Sequence, residues 1–492
     1  MSSLRLAIVF SVLDKYLGQV LAIVTTAIMA RLLTPAETGL YLVAQAFLLL
    51  AENFREFGVC AYIVQVPELN RTVLRTSFTI TALTSWAIGA VIYLSGNAVA
   101  AFYGNPDLPH LLHIAALGFV VAPFGSPAVA LLRRDLDFRA IAAINVISAT
   151  AIAVVTVALG FIGYGAASYF WAYAAGSILL AGLAIRRRPD LGIFQPSLHG
   201  ARTILSFGLT SSVVTVTNLA YDMLPKLALG KILGFDAVGL FTRAVTICQL
   251  PDRLLLSGLT PVILPAMADH RRNGGDLRAI YVRGYSFMSA VQWPALLMLA
   301  LLADPVVQVL LGSQWGQVPP LVRLLALAAM TLAPAFMTYP LLVATGHIRY
   351  ALYATFLSLP PAAAILVLAA HHGLTAVAAS AFVTAPLQML IALLFIRRAI
   401  GMPWKELGRA SMTSLAITAA TVAIPLAVVG TSPTGLDLDW GRTVLAVLGG
   451  ALGWGIALRL ARHPLLAEVV GIGHRALRRV RPATPAPVGG LG

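Results

Sequence analysis

The sequence predicts an all-α polytopic membrane protein of about 14 transmembrane helices, in two pseudo-symmetric six-helix bundles plus an appended pair. Three observations predict it. Hydrophobic residues make up 59% of the 492-residue chain and charged residues 11%, with a mean hydropathy of +0.87. A soluble domain carries about 25% charged residues, so this chain cannot cover its surface with polar groups and must be solvated by lipid. Apolar runs of 18 or more residues recur from end to end. A short pattern near the start also returns two hundred positions later.

The repeated pattern is Ala30-Arg31-Leu32-Leu33-Thr34-Pro35-Ala36-Glu37-Thr38-Gly39-Leu40-Tyr41, matched by Gly230-Lys231-Ile232-Leu233-Gly234-Phe235-Asp236-Ala237-Val238-Gly239-Leu240-Phe241. Each copy places a cation at the end of an apolar run, then a polar turn, then Gly-Leu-aromatic. The runs give helices at roughly 6–30, 39–66, 73–95, 111–132, 140–162, 165–185, 204–230, 238–267, 280–303, 319–345, 350–370, 374–396, 409–430 and 441–460. Each is long enough to cross ~30 Å of hydrocarbon. Asp14-Lys15 in the first run, with no clean small-residue cleavage site, marks a retained helix rather than a signal peptide.

Cations set the orientation. With the N-terminus cytoplasmic, alternate loops on that side receive Arg71, Arg75, Arg133, Arg134, Arg139, Arg186 to Arg188, Arg271, Arg272, Arg397, Arg398 and Lys405. The opposite side keeps Arg31, Lys231 and Arg442. This is the positive-inside asymmetry, and it places both termini in the cytoplasm. It also accounts for the net charge of +15 without nucleic acid. Six helices separate the two copies of the repeat, so the halves run parallel about an axis along the membrane normal. Phe102-Tyr103-Gly104-Asn105 and Leu310-Leu311-Gly312-Ser313 echo each other in the third outer loop of each half. The expected divisions are 1–200 and 201–400 for the bundles, 401–461 for the appended helices and 462–492 for a basic cytoplasmic tail. Arg in that tail is drawn to anionic lipid, and its Pro/Gly-rich last ten residues lack the apolar surface to fold.

Charges within the apolar runs cost ~2.5–3.5 kcal/mol each at a helix centre, and they gather on four helices. Asp14 and Lys15 lie in the first, Glu52, Arg55 and Glu56 in the second, Asp222 and Lys226 in the seventh, and Arg243, Asp252 and Arg253 in the eighth. Two readings stay open. Neighbours at i, i+3 and i, i+4, such as Glu52 with Arg55 or Asp222 with Lys226, neutralise each other. Alternatively, the four helices line a hydrophilic cavity with a cationic surplus suited to an anionic ligand. Arg31 and Lys231 serve equally as interfacial anchors or as that cavity's outer rim. Arg323, one turn inside the tenth helix, is expected to snorkel to the outer interface. Prolines inside the runs kink helices where neighbours satisfy the freed carbonyls.

Enzyme signatures are absent: no G-x-x-x-x-G-K-[ST], no H-E-x-x-H and no Cys/His cluster. Cys60 and Cys248 each lie inside an apolar run, so neither a disulfide nor a metal framework is implied. No cofactor is expected.

Several stretches carry a family resemblance. They are Ala30 to Pro35 with Gly39-Leu40-Tyr41, Glu56-Phe57-Gly58 with Val64-Gln65, and Leu132-Arg133-Arg134-Asp135-Leu136-Asp137-Phe138. Leu311-Gly312-Ser313-Gln314-Trp315 and Ala344-Thr345-Gly346 follow in the same order. With these the chain resembles the Wzx-type polysaccharide flippases of the multidrug/oligosaccharidyl-lipid/polysaccharide exporter superfamily, and is most similar to the exopolysaccharide translocase branch. The resemblance implies alternating access and an undecaprenyl-pyrophosphate-linked oligosaccharide, flipped from inner to outer leaflet of a bacterial inner membrane for exopolysaccharide or lipopolysaccharide synthesis. It implies a cationic cavity, here assigned to Lys15, Arg55, Lys226, Arg243 and Arg253, with Arg31 and Lys231 at its rim. Asp14, Glu52, Asp222 and Asp252 are the candidate proton or sodium sites. Membrane lipids, a polysaccharide polymerase and export proteins are the implied partners. The competing functions are a multidrug or small-cation exporter of the same superfamily and a membrane glycan ligase or polymerase.

Overall fold

A computed structural model describes residues 2–56, 58–253, 260–433 and 435–466. The expectations for the tail beyond 466, its arginines and its Pro/Gly-rich end, and for the Glu56 side chain, fall outside the described residues. The described elements are helices, with no strand among the described residues.

Helices α1 (Ser2–Leu32), α2 (Pro35–Glu56), α3 (Val59–Gln65), α4 (Arg71–Tyr103), α5 (Leu108–Arg134), α6 (Phe138–Ile162) and α7 (Ala167–Arg187) come first. They are followed by α8 (Ala201–Ile232), α9 (Phe235–Cys248), α10 (Thr260–Arg272), α11 (Leu277–Leu301) and α12 (Ala303–Leu310). The chain continues with α13 (Val318–Ala329), α14 (Thr338–Ala344), α15 (Ile348–Ala370), α16 (Leu374–Ile400), α17 (Trp404–Gly430) and α18 (Trp440–Leu460). Among the described residues ten stretches are long and apolar enough to cross a membrane, with α13 and α14 counted together. The four other expected segments are α1, α2 with α3, α8, and α9 with α10. These are the four that carry the charges.

Three expected segments are interrupted. Gly58 takes a left-handed conformation (φ 65°) and separates α2 from α3. Pro334 has no N–H, and a 3₁₀ stretch Met330–Ala335 links α13 to α14. Pro251 stands just past the end of α9, and a wider π-type turn follows at 252–253.

The carbonyl four residues before an internal proline loses its donor, and neighbouring helices supply another. Ser85 Oγ of α4 donates to Phe119 O (2.6 Å), the carbonyl freed by Pro123. Trp454 Nε1 of α18 donates to Ala290 O (2.9 Å), freed by Pro294. Trp293 Nε1 of α11 donates to Met330 O (2.7 Å), freed by Pro334. In hydrocarbon no water could do this.

The chain forms two compact units. The first comprises Met1–Arg243 with Val307–Val318 and Ala363–Ser380; the second comprises Ala244–Val306, Pro319–Ala362 and Ala381–Gly492. In the first, α4 packs on α5, α5 on α7, and α1 on α6. Leu40, Leu112, Phe119 and Phe170 are core residues there. In the second, α11 packs on α17 and α17 on α18. Tyr281, Tyr285, Trp293, Met337 and Leu341 form its core.

Arg323, expected to snorkel to the outer interface, is ion-paired with Asp304 of α12. The short helix α12 brings a carboxylate to it, which hydropathy alone does not reveal.

Candidate functional site

The repeat builds one end of the first unit. Thr34 and Glu37 form a capping box: Glu37 Oε2 accepts from Thr34 N–H (2.9 Å), and Thr34 Oγ1 accepts from Glu37 N–H (3.2 Å). This fixes the start of α2 directly after the first cation. The two copies then pack on each other. A Cβ on Gly39 would meet Phe235 O, and a Cβ on Gly239 would meet Pro35 O. Only glycine permits this approach.

The cations of the repeat complete the pattern reciprocally. Arg31 Nη2 donates to Val309 O (2.7 Å), and Lys231 Nζ donates to Phe102 O with its ammonium 4.6 Å from the Phe102 ring centroid. Each cation thus reaches the end of a distant helix, Arg31 that of α12 and Lys231 that of α4. Gly104 (φ 69°) and Gly312 (φ 101°) both turn left-handed there. Trp315, fully buried, donates from Nε1 to Ala30 O (2.7 Å), and Tyr103 Oη donates to Leu227 O (3.2 Å).

Deeper in the first unit the other predicted residues fall into two groups. Asp14 accepts from Asn145 Nδ2 of α6 (2.9 Å), and Lys15 beside it is exposed. Glu52 accepts from Tyr173 Oη of α7 (2.6 Å), a short charge-assisted bond. Arg55 is 8% exposed and donates from Nη1 to Ser126 Oγ of α5 (3.4 Å). Glu52, Arg55, Ser126, Asn145 and Tyr173 line one cavity of about 270 Å³, whereas Asp14 and Lys15 are not in its wall.

The second group lies on α8 and α9. Arg243 is 7% exposed and sits 5.8 Å from the Trp315 ring centroid, beside Tyr169. Tyr169 itself stacks on Tyr41, with centroids 3.8 Å apart. The Nε of Arg243 is buried with no hydrogen-bond partner. Lys226 is half-buried, its Nζ 3.9 Å from Met223 Sδ, and close enough to Asp222 and to Arg243 to feel both charges. No ion pair joins it to the exposed Asp222 among the described residues. This group therefore holds two cations and one carboxylate.

Asp252 and Arg253 belong to the second unit. Asp252 accepts from Gln292 Nε2 (2.7 Å), and Arg253 donates to Gln249 Oε1 (2.7 Å). Among the described residues no His, Cys, Asp and Glu cluster could hold a metal ion.

Sequence reading missed Tyr173, Asn145, Ser126 and Tyr169, and named Trp315 only within a family pattern. Asn145, an amide inside an apolar run, was the one legible signal. The aromatic partners look like ordinary membrane residues until the helices pack.

The architecture is that of large multi-helix membrane proteins. Over 93% of the chain it superposes on the whole of a lipid II flippase MurJ in an inward closed conformation (TM-score 0.71, 14% identity). Over 82% it superposes on 98% of an inward-facing multidrug resistance MATE family transporter of the MOP superfamily (TM-score 0.62, 15% identity). The chain belongs to the polysaccharide biosynthesis protein family, whose pattern matches residues 28–320. It is 25% identical over 354 residues to lipopolysaccharide biosynthesis protein WzxC of Escherichia coli (strain K12), covering 69% of this chain and 70% of that one. It is 27% identical over 342 residues to succinoglycan biosynthesis transport protein ExoT of Rhizobium meliloti (strain 1021), covering 69% and 68%.

Proposed function

We propose that the protein is a flippase that carries an undecaprenyl-pyrophosphate-linked oligosaccharide repeat unit from the inner to the outer leaflet of a bacterial inner membrane. The observation that carries this reading is the family match across 28–320, which spans both copies of the repeat. The relatives' names, a lipopolysaccharide biosynthesis protein and a succinoglycan transport protein, place similar chains in polymer synthesis and export.

The physics agrees. A pyrophosphate needs cations in a place where desolvation strengthens them, and Arg55 and Arg243 are buried cations on the charged helices. Lys15, Lys226 and Arg253 add to them, with Arg31 and Lys231 at the rim. The polyprenyl tail stays in the bilayer while the sugars cross a wet cationic cavity. The bundles 1–200 and 201–400 exchange access, helices of 401–461 flank them, and both termini face the cytoplasm. Asp14, Glu52, Asp222 or Asp252 couples the step to a proton or sodium gradient. Polymerase and export proteins take the product onward. No covalent chemistry is involved.

Deletion of the gene tests the reading. Lipid-linked repeat units accumulate on the inner leaflet while their synthesis continues, and export stops. Arg55→Gln, Lys226→Gln or Arg243→Gln each lowers export about tenfold or more, the loss of one charge-assisted hydrogen bond, while the protein still inserts. Normal export by all three variants overturns the cationic assignment.

A further inference from the structure

Within the first unit, α2, α3, α5, α6 and α7 line the cavity of about 270 Å³. Its wall follows α5 from Ala122 to Arg133, ~16 Å at 1.5 Å per residue. One wall residue stands out. Ser148 is 3% exposed, and its hydroxyl has no hydrogen-bond partner. A buried hydroxyl left unpaired carries its full desolvation penalty, and a ligand in the cavity would supply the missing partner.

The lining chemistry selects the ligand. Donors and acceptors alternate: the Glu52 carboxylate and the hydroxyls of Ser126 and Ser177 stand among the guanidinium groups of Arg55 and Arg133. Val129, Ile152 and Leu180 supply apolar patches between them. A phosphate, which only accepts hydrogen bonds, suits Arg55 and Arg133, whereas the Glu52 carboxylate beside them calls for a ligand that also donates. A sugar ring both donates and accepts at its rim and offers C–H surface on its faces. The volume lies below the ~300–1,000 Å³ of pockets for drug-sized ligands, which suits one ring and not an oligosaccharide. We infer that this cavity is a recognition pocket for a single neutral sugar residue, with Ser148 and Glu52 reading its hydroxyls. The inference rests on the flippase reading, since the sugar is part of the glycan carried.

The test uses the full chain purified in detergent and a panel of methyl glycosides of glucose, galactose and N-acetylglucosamine, observed by saturation-transfer NMR. At least one glycoside binds the unaltered protein. Ser148→Val weakens that binding roughly three- to tenfold, the worth of one neutral hydrogen bond. Ser177→Trp, which fills the recess, abolishes it, and Ile152→Phe does the same if the tryptophan variant loses its wild-type elution profile. Failure of every glycoside to bind the unaltered protein overturns the inference, as does binding that survives both classes of variant. So does stronger binding of inorganic pyrophosphate with displacement of the sugar. The flippase reading fails on a different observation: no accumulation of lipid-linked repeat units after gene deletion, whatever the glycosides do.

Discussion

Gly39 and Gly239 pack backbone to backbone in a reciprocal pair. A Cβ on Gly39 would lie 3.1 Å from Gly239 N as well as against Phe235 O, and a Cβ on Gly239 would strike Pro35 O. The partners are themselves matched, since Pro35 and Phe235 hold the same place in the two copies of the repeat. A local two-fold relation follows directly from four residues.

Gly39→Ala and Gly239→Ala are each expected to lower stability by about 1–3 kcal/mol, because backbone cannot retreat as a side-chain end can. Gly18→Ala is the control. Nothing lies within 4 Å of a Cβ there, and alanine in a helix gains up to ~1 kcal/mol over glycine. Thermal unfolding in detergent separates them, and equal midpoints for all three would show that the close approach is not real.

Arg31 and Lys231 fasten the same end from both sides. Replacing both by Ala is expected to loosen it. With Cys60 and Cys248 replaced by Ser, a cysteine placed at Leu33, now 2% exposed, should react several-fold faster with a membrane-impermeant maleimide, as local opening of a segment with few remaining anchors requires. An unchanged rate would mean that the glycine contact holds this end without the cations.

Trp454→Phe removes the donor to Ala290 O and should cost about 1 kcal/mol, in the range of interhelical hydrogen bonds in membranes. Pro294→Ala restores an N–H that can reach the same carbonyl. In a double-mutant cycle the second change should recover most of the first loss. Strictly additive effects would refute the link between the proline and the indole.

His463 lies beyond α18, buried, with Nδ1 accepting from Leu465 N–H (3.3 Å) and Nε2 meeting Ser286 Oγ (2.8 Å). Nδ1 as acceptor makes Nε2–H the donor. Burial pushes the imidazole below its usual value of 6.5. The unfolded chain therefore takes up a proton first as pH falls, so the stability this residue contributes is present above pH ~6.5 and lost below it. Between pH 7.5 and 5.5 the wild type should lose more unfolding temperature than His463→Asn. Parallel curves for the two proteins would remove His463 from the account.

The sequence by itself determined that this is an all-α membrane chain, that two copies of one pattern organise it, and that costly charges are gathered on four segments. Hydropathy and spacing are local, so they survive in one dimension. The contacts that use the pattern were not legible, because they join residues far apart. Arg31 meets Val309, Glu52 meets Tyr173, and Arg243 sits between Tyr169 and Trp315. Charge periodicity offered Lys226 to Asp222 as an i, i+4 pair, and the two do feel each other's charge, but only packing brought Met223 and Arg243 to Lys226 as well. Packing also placed Asp304 at Arg323 and left the Ser148 hydroxyl without a partner on a cavity wall. Lipid solvation dictates which residues must be buried, but only the fitting of helix against helix decides what each one meets.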